Sequence, residues 1–208
     1  MPAPASLRLK REFFSRPALQ VARQLLGRRL VRIDGEKRIA GLITEAEAYQ
    51  GEDDLGCHCH HGRTPRTAVM YGPPGFTYVY FTYGMHWMLN FVVAGEGYPA
   101  AVLIRAVFPT EGLEIIAERR ASVPPRSWTD GPAKICQAFN IDRQLNAHDM
   151  CSPSARLFVE SGQPVLDENV TIGPRVGLNN VPEPWKSVPW RFLTGYFHTQ
   201  VSHAGEPE

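Results

Sequence analysis

The spacing of apolar positions divides the chain into short elements. Ser15-Arg16-Pro17 opens a helix whose apolar stripe is Leu19, Ala22 and Leu25/Leu26, and Gly27 closes it. Alternation then takes over. Arg29–Ile33 and Arg38–Tyr49 read as the two strands of a hairpin around Asp34-Gly35. Strict alternation puts Ile39, Gly41, Ile43, Glu45, Glu47 and Tyr49 on one face of the second strand. That face begins apolar and ends acidic, which sets Glu47 and Tyr49 together at the edge of the core. Residues 50–76 form a long loop rich in Gly, His and Pro, and loops of that length in compact domains are usually functional. Phe76–Tyr83 and Met85–Ala94 predict a second hairpin at Tyr83-Gly84, and Ala100–Val107 a further strand. Thr110–Arg120 reads as helical, and Asp130 as the N-cap of a short helix through Lys134 to Phe139. Residues 142–170 read as irregular, with late strands at 176–178 and Trp190–Leu193.

No repeat or domain boundary interrupts this pattern. The expectation is one α+β domain over residues 1–208, with flexible ends at 1–8 and 203–208. Its frame would be a curved, mainly antiparallel sheet with flanking helices and a protruding β-hairpin. At 208 residues the chain can bury a real core without disulfides or metal. Eighteen Gly and eighteen Pro agree with plentiful turns and few helices.

The formal net charge of +1 hides an asymmetry. Residues 1–40 hold ten Lys or Arg against three acids, while residues 41–60 hold five acids and no Lys or Arg. A basic face beside an acidic pocket suits a hydrolase that binds a polyanion, and a solvated helix and strand would give the same count. Four cysteines without a disulfide framework point to a reducing compartment. Met1–Leu9 has no apolar signal core, and no run approaches transmembrane length, so a soluble intracellular protein is expected.

Two charges stand inside apolar strands. Glu47 is costly there unless it is paired or poised for use, and Arg105 is its counterpart within Ala-Val-Leu-Ile-Arg-Ala-Val. Together they are a buried ion pair or a general base held ionised by its partner; spacing alone favours the ion pair. Tyr78 and Tyr80 share one strand face, and Tyr49 and His58 lie close to Glu47 in sequence. Aromatic rings around a carboxylate suit a flat, electron-poor ligand, although each ring alone fits a sheet core equally well. Cys57-His58-Cys59-His60-His61 has zinc-type ligands at poor spacing, because adjacent residues do not all converge on one ion. Gly62-Arg63-Thr64-Pro65-Arg66, Gly72-Pro73-Pro74-Gly75 and the helix start at Asp130-Gly131-Pro132-Ala133-Lys134 offer phosphate-friendly groups.

In combination these blocks resemble the alkyladenine (3-methyladenine) DNA glycosylase family. The likeness runs through Ile43-Thr-Glu-Ala-Glu-Ala-Tyr49, Gly62-Arg-Thr-Pro-Arg66, Met70-Tyr-Gly-Pro-Pro-Gly75 and Tyr78-Val-Tyr-Phe-Thr-Tyr-Gly-Met-His86. It continues in Val102-Leu-Ile-Arg-Ala106, Gly131-Pro-Ala-Lys-Ile-Cys-Gln-Ala138, Pro189-Trp-Arg-Phe192 and Val201-Ser202. The resemblance implies a fold like the C-terminal domain of methionyl-tRNA formyltransferase. It implies catalytic roles for Glu47 and Arg105, and contacts to a flipped base from Tyr49, His58, Tyr80 and Asn90. It makes Tyr83 the side chain wedged into the DNA stack, and Thr64, Arg66, Met85, Lys134 and Ser202 the backbone contacts. The partner would be double-stranded DNA holding a damaged purine, bound by a monomer without metal, cofactor or membrane. The setting would be a bacterial cytoplasm, near the nucleoid, or a nucleus. Two other readings remain beside it: a non-catalytic nucleic-acid-binding module of the same fold, and a zinc hydrolase built on 57–61.

Overall fold

The computed structural model describes residues 8–197; Ser202 and the segments 1–7 and 198–208 lie outside them. The first hairpin forms as β1 (Arg29–Asp34) and β2 (Lys37–Gln50), turning at Gly35 with φ 63°. β3 (Thr77–Thr82), β4 (His86–Val92), β5 (Ala100–Glu111), β6 (Leu157–Glu160), β7 (Thr171–Gly173) and β8 (Arg191–Leu193) complete one sheet. Every pairing in it is antiparallel. The path is β3-β4-β5-β2-β1-β6, and β7 joins through β8 to β2. β2 is the spine: it pairs β5 along most of its length, β1 along its first half and β8 around Glu47. Backbone pairing on both sides fixes residues 45–47 more firmly than an edge strand could.

Among the described residues, four α-helices accompany the sheet: α1 (Arg11–Phe14), α2 (Ala18–Leu25), α3 (Leu113–Arg119) and α4 (Pro132–Ala138). α2 packs on β2 and α4 on β4. The buried stripe of α2 is Ala18, Val21, Ala22 and Leu25, with Leu19 only half-buried. Among the described residues, no helix is long and apolar enough to cross a membrane.

The structure corrects several expectations. The single face drawn along β2 breaks at a bulge, where the register against β5 shifts between Ile43, Glu45 and Ala46. Ile43 and Ala46 are three residues apart, yet both pack in the main core with Ala48. The inserted residue thus turns Glu45, Glu47 and Tyr49 away from that core. Thr110 and Glu111 extend β5 instead of starting the helix, and the Glu111 carboxylate takes Arg29 at 2.7 Å and Arg38 at 2.8 Å. Gly131, not Asp130, occupies the N-cap of α4; the Asp130 carboxylate turns instead to Lys134 Nζ at 2.7 Å. Residues 176–177 form a turn, and the late strand lies earlier, at Thr171–Gly173. β6 lies in the segment read as irregular: all four of its residues are buried, so it shows no alternation. The basic N-terminal run is largely consumed by the fold. Arg11, Arg23, Arg29, Arg32 and Arg38 all pair with carboxylates, so these five do not form a free basic face.

One glycine carries the junction of helix and sheet. Gly27 has φ 79°, its N–H donates to Ile43 O at 2.8 Å, and its carbonyl accepts from Gln163 N at 2.8 Å. A Cβ there would stand 1.9 Å from Gln163 O, a backbone atom with little room to yield. Gly27→Ala combines that clash with a left-handed conformation, and its expected cost is about 3 kcal/mol or more. Urea denaturation reads this as a lower midpoint at unchanged slope; an unshifted midpoint would contradict the packing described.

Candidate active site

The bulge in β2 sets Glu47 directly behind the wall of a cavity of about 300 Å³, whose lining includes Tyr49, Arg105 and Val176. Glu47 is fully buried, and its backbone is paired to Leu103 in β5 and Arg191 in β8. Oε1 accepts from the Val176 N–H at 2.7 Å and lies 3.3 Å from Arg105 Nε. Oε2 accepts from the Tyr49 hydroxyl at 2.8 Å. A carboxylate has about four lone-pair sites, so these three contacts leave one position on Oε2 for a further donor. Burial raises the Glu47 pKa above its ordinary value; Arg105, the Val176 N–H and the Tyr49 hydroxyl oppose that rise.

Arg105 is shared rather than dedicated. Its shorter contact is to Glu45 Oε1, at 2.8 Å, and Arg191 reaches the same oxygen at 3.1 Å. The expected Glu47–Arg105 pair is therefore part of a four-residue network with Glu45 and Arg191. Burial lowers the Arg105 pKa, but the two carboxylates outweigh it and the guanidinium stays charged.

Tyrosines form much of the cavity wall. Tyr49, Tyr78 and Tyr80 line it with His58, Asn90 and Arg105. His58 stands edge-on to Tyr80 with ring centroids 4.5 Å apart, and its Nδ1 lies 3.0 Å from the Tyr78 hydroxyl. Desolvation, and then the charge of Arg66, lower the His58 pKa, which keeps the ring neutral near pH 7 although the residue is exposed. Asn90 is buried and gives its Nδ2 to Tyr78 O at 3.1 Å, which fixes the orientation of the amide. The β3–β4 hairpin rises over the mouth. Tyr83 at its tip is 82% exposed with φ 53°, and Met85 beside it is exposed as well.

A model of the methylpurine-DNA glycosylase family matches residues 12–196. The chain belongs to that family. It is 45% identical over 183 residues to a protein of Myxococcus xanthus, covering 88% of each chain. It is 46% identical over 185 residues to one of Methanocella arvoryzae, covering 88% of this chain and 90% of the relative. A Streptomyces avermitilis relative is 45% identical over 192 residues, covering 91% of this chain and 89% of its own. All three carry the name "Putative 3-methyladenine DNA glycosylase". The protein is a DNA glycosylase of the alkylated-purine class, and its chemistry is cleavage of N-glycosyl bonds.

In this glycosylase the residues singled out from sequence fall into three groups. Tyr49, His58, Tyr80, Tyr83, Asn90 and Arg105 line the cavity, with Glu47 directly behind Tyr49, Arg105 and Val176. Arg66 is exposed and reaches the rim, its Cζ 5.1 Å over the Tyr80 ring. Thr64 and Lys134 lie outside the wall, Thr64 hydrogen-bonded to Thr67 and Lys134 paired with Asp130. The 57–61 segment splits: Cys57 and Cys59 are buried while His60 and His61 are exposed. Among the described residues, no group of three or more His, Cys, Asp or Glu converges as metal ligands.

Sequence reasoning missed the groups that hold Glu47 from the far side. The Val176 N–H gives no signal in sequence, because any residue but proline supplies one. Glu45 was legible only as a member of the same alternation, and Arg191 only as part of Pro189-Trp-Arg-Phe192. Arg175 and Asp54 form an ion pair with both side chains fully buried, and neither sits in an apolar run that would make its charge conspicuous.

Proposed function

We propose that this glycosylase takes an alkylated or deaminated purine, flipped out of duplex DNA, into the tyrosine-lined cavity. It then hydrolyses the N-glycosidic bond with a water activated by Glu47. The substrate class spans 3-methyladenine, 7-methylguanine, hypoxanthine and ethenoadenine. The observation that carries this reading is the fully buried carboxylate, oriented by three contacts with one acceptor position left, directly behind the Tyr49, Arg105 and Val176 that line an aromatic cavity.

A glycosidic bond inside the stack is inaccessible, so the nucleotide must leave it at a cost of a few kcal/mol. Tyr49, His58 and Tyr80 supply the faces and edges that hold the extruded base, and cationic alkylated purines stack well on tyrosine. Asn90, with its donor committed to Tyr78 O, presents a fixed wall against the exocyclic amine of guanine. The C1′–N bond breaks with its electron pair leaving on the purine. Water then adds to the oxocarbenium-like sugar carbon while Glu47 Oε2 accepts the proton. Arg105 keeps the carboxylate ionised before that transfer. Tyr83 fills the gap left in the stack, and Thr64, Arg66, Met85 and Lys134 meet the phosphodiester backbone as the duplex docks.

None of Lys10, Lys37, Lys134 and Lys186 lines the cavity, which supports a monofunctional enzyme without Schiff-base strand cleavage. The protein acts as a monomer and requires no metal or cofactor. Duplex oligonucleotides carrying each of the four lesions test this. Base release should leave an abasic site, with strand scission only after added alkali, and dialysis against a chelator should not change the rate. Release of none of the four bases would overturn the substrate class; nicking without alkali would overturn the monofunctional mechanism.

A further inference from the structure

The best-buried ion pair in the described structure lies beside the cavity, not in it. Arg175 and Asp54 are bound in a fork, Nη1 to Oδ2 at 2.6 Å and Nη2 to Oδ1 at 2.8 Å, with both side chains fully buried. Arg175 Nη1 also donates to Ala48 O at 3.1 Å, and Nη2 to Trp185 O at 3.2 Å. The guanidinium lies 4.6 Å from the Tyr49 ring centroid and 5.0 Å from that of Trp190. Asp54 in turn accepts from the Gly56 N–H at 2.9 Å, two residues before His58. Removing two charges from water is expensive, and an apolar pair of similar volume often serves stability as well or better. What the fork does that an apolar pair would not is fix three backbones: β2 at Ala48, the 54–58 loop and the 175–185 segment.

We infer that the Arg175–Asp54 pair is a positioning device for the glycosylase reaction, holding the Val176 N–H on Glu47 Oε1 and the Tyr49 ring in the cavity wall. Arg175 is one residue from Val176 and stacks on Tyr49, so the two neutral donors on Glu47 both hang from it. Neither Arg175 nor Asp54 lines the cavity, so both act through other residues. Gly56 shows how tightly the fork is seated. A Cβ there would meet Arg175 Nη2 at 2.8 Å, Leu178 Cδ1 at 2.7 Å and Asp54 Oδ1 at 3.2 Å. Loss of the Val176 N–H would leave burial less opposed at Glu47, so a higher pH would be needed to ionise it. The charged and titratable groups around Glu47 are Glu45 and Tyr49 on β2, Tyr80 on β3, Arg105 on β5, Arg191 on β8 and Arg175. The variants below disturb Arg175 and, through it, the Tyr49 ring, while Glu45, Arg105 and Arg191 keep their contacts.

This inference rests on Glu47 being the base. The test is single-turnover release of ethenoadenine from duplex DNA across pH, for Arg175→Lys, Asp54→Asn and Gly56→Ala. Gly56→Ala keeps both charges while its Cβ presses on Arg175 Nη2 and on Leu178 Cδ1, so it answers even if breaking the buried pair prevents folding. The expected result is a rate at pH 7 lowered by about 10- to 100-fold, as for a misplaced catalytic group. The acid limb should move up by about one pH unit, which is a tenfold change in ionisation. Affinity for the lesion duplex should stay within about threefold, far less than the expected loss of rate. A merely structural role would lower the active fraction, read from the reaction amplitude, and leave the acid limb in place; that outcome overturns the inference. Glu47→Gln is run alongside. If it releases base at the wild-type rate, the assignment of Glu47 itself falls and the positioning role with it.

Discussion

Glu47→Gln is expected to slow single-turnover release of ethenoadenine by about 10³-fold, inside the range for loss of a positioned general base. Such a loss is about 4 kcal/mol of barrier, three factors of ten at 1.36 kcal/mol each. The substitution nearly preserves shape. A glutamine oxygen can still accept from the Val176 N–H, and Arg105 keeps its shorter contact to Glu45 at 2.8 Å. Binding of lesion duplex should therefore hold while chemistry is lost, and a competition assay separates the two. The pH dependence gives an independent reading. With Glu47 as the proposed base the carboxylate form is the active one, so the wild-type rate is expected to fall as pH drops through the Glu47 pKa. Burial places that value above the ordinary carboxylate range, so the fall begins at a higher pH than for an exposed glutamate. The glutamine variant has no such group and should lose this limb. Equal release rates for variant and wild type would remove Glu47 from the mechanism.

The β1–β2 and β3–β4 hairpins were legible in the sequence because runs of strand-forming residues flank turns marked by left-handed glycines at 35 and 84. β6 has no wet face and carried no signal. The bulge at Glu45 was invisible for a different reason. Alternation assumes that each residue advances the strand by one, and one inserted residue breaks the count without leaving a compositional trace. For the site the same division holds. Glu47 and Arg105 were found because charges are conspicuous in apolar strands. The Val176 amide and the Arg175–Asp54 fork were not, because a backbone donor has no residue type and buried charges in irregular segments look like ordinary surface. The ion-pair reading that spacing favoured is only partly right: Arg105 makes its shorter contact to Glu45, and Glu47 is held by that guanidinium together with two neutral donors, the Val176 N–H and the Tyr49 hydroxyl.

Tyr83→Ala is expected to weaken binding to lesion-bearing duplex by about 10- to 100-fold, matching the roughly 1–3 kcal/mol of one base–aromatic stacking contact. Binding to the same lesion in a single strand should change by no more than about threefold, because there is no vacated stack to fill. The tip geometry supports assigning the loss to DNA rather than to folding. Tyr83 is 82% exposed, so its ring does little for the core. Its φ of 53° lies in the region that a bulky side chain occupies only at a cost, here about 1–2 kcal/mol. The Met85 N–H closes the turn on Thr82 O at 3.2 Å, and Gly84 follows Tyr83 with φ 67°. Strain at an exposed aromatic, where asparagine or glycine would sit more comfortably, agrees with the contact role proposed for Tyr83. Tyr83→Gly therefore makes the sharper control. It relieves the strain, so the melting temperature should not fall, yet it removes the same ring and should weaken duplex binding as much as alanine does. Equal losses on duplex and single strand would place Tyr83 in base contact rather than in the stack.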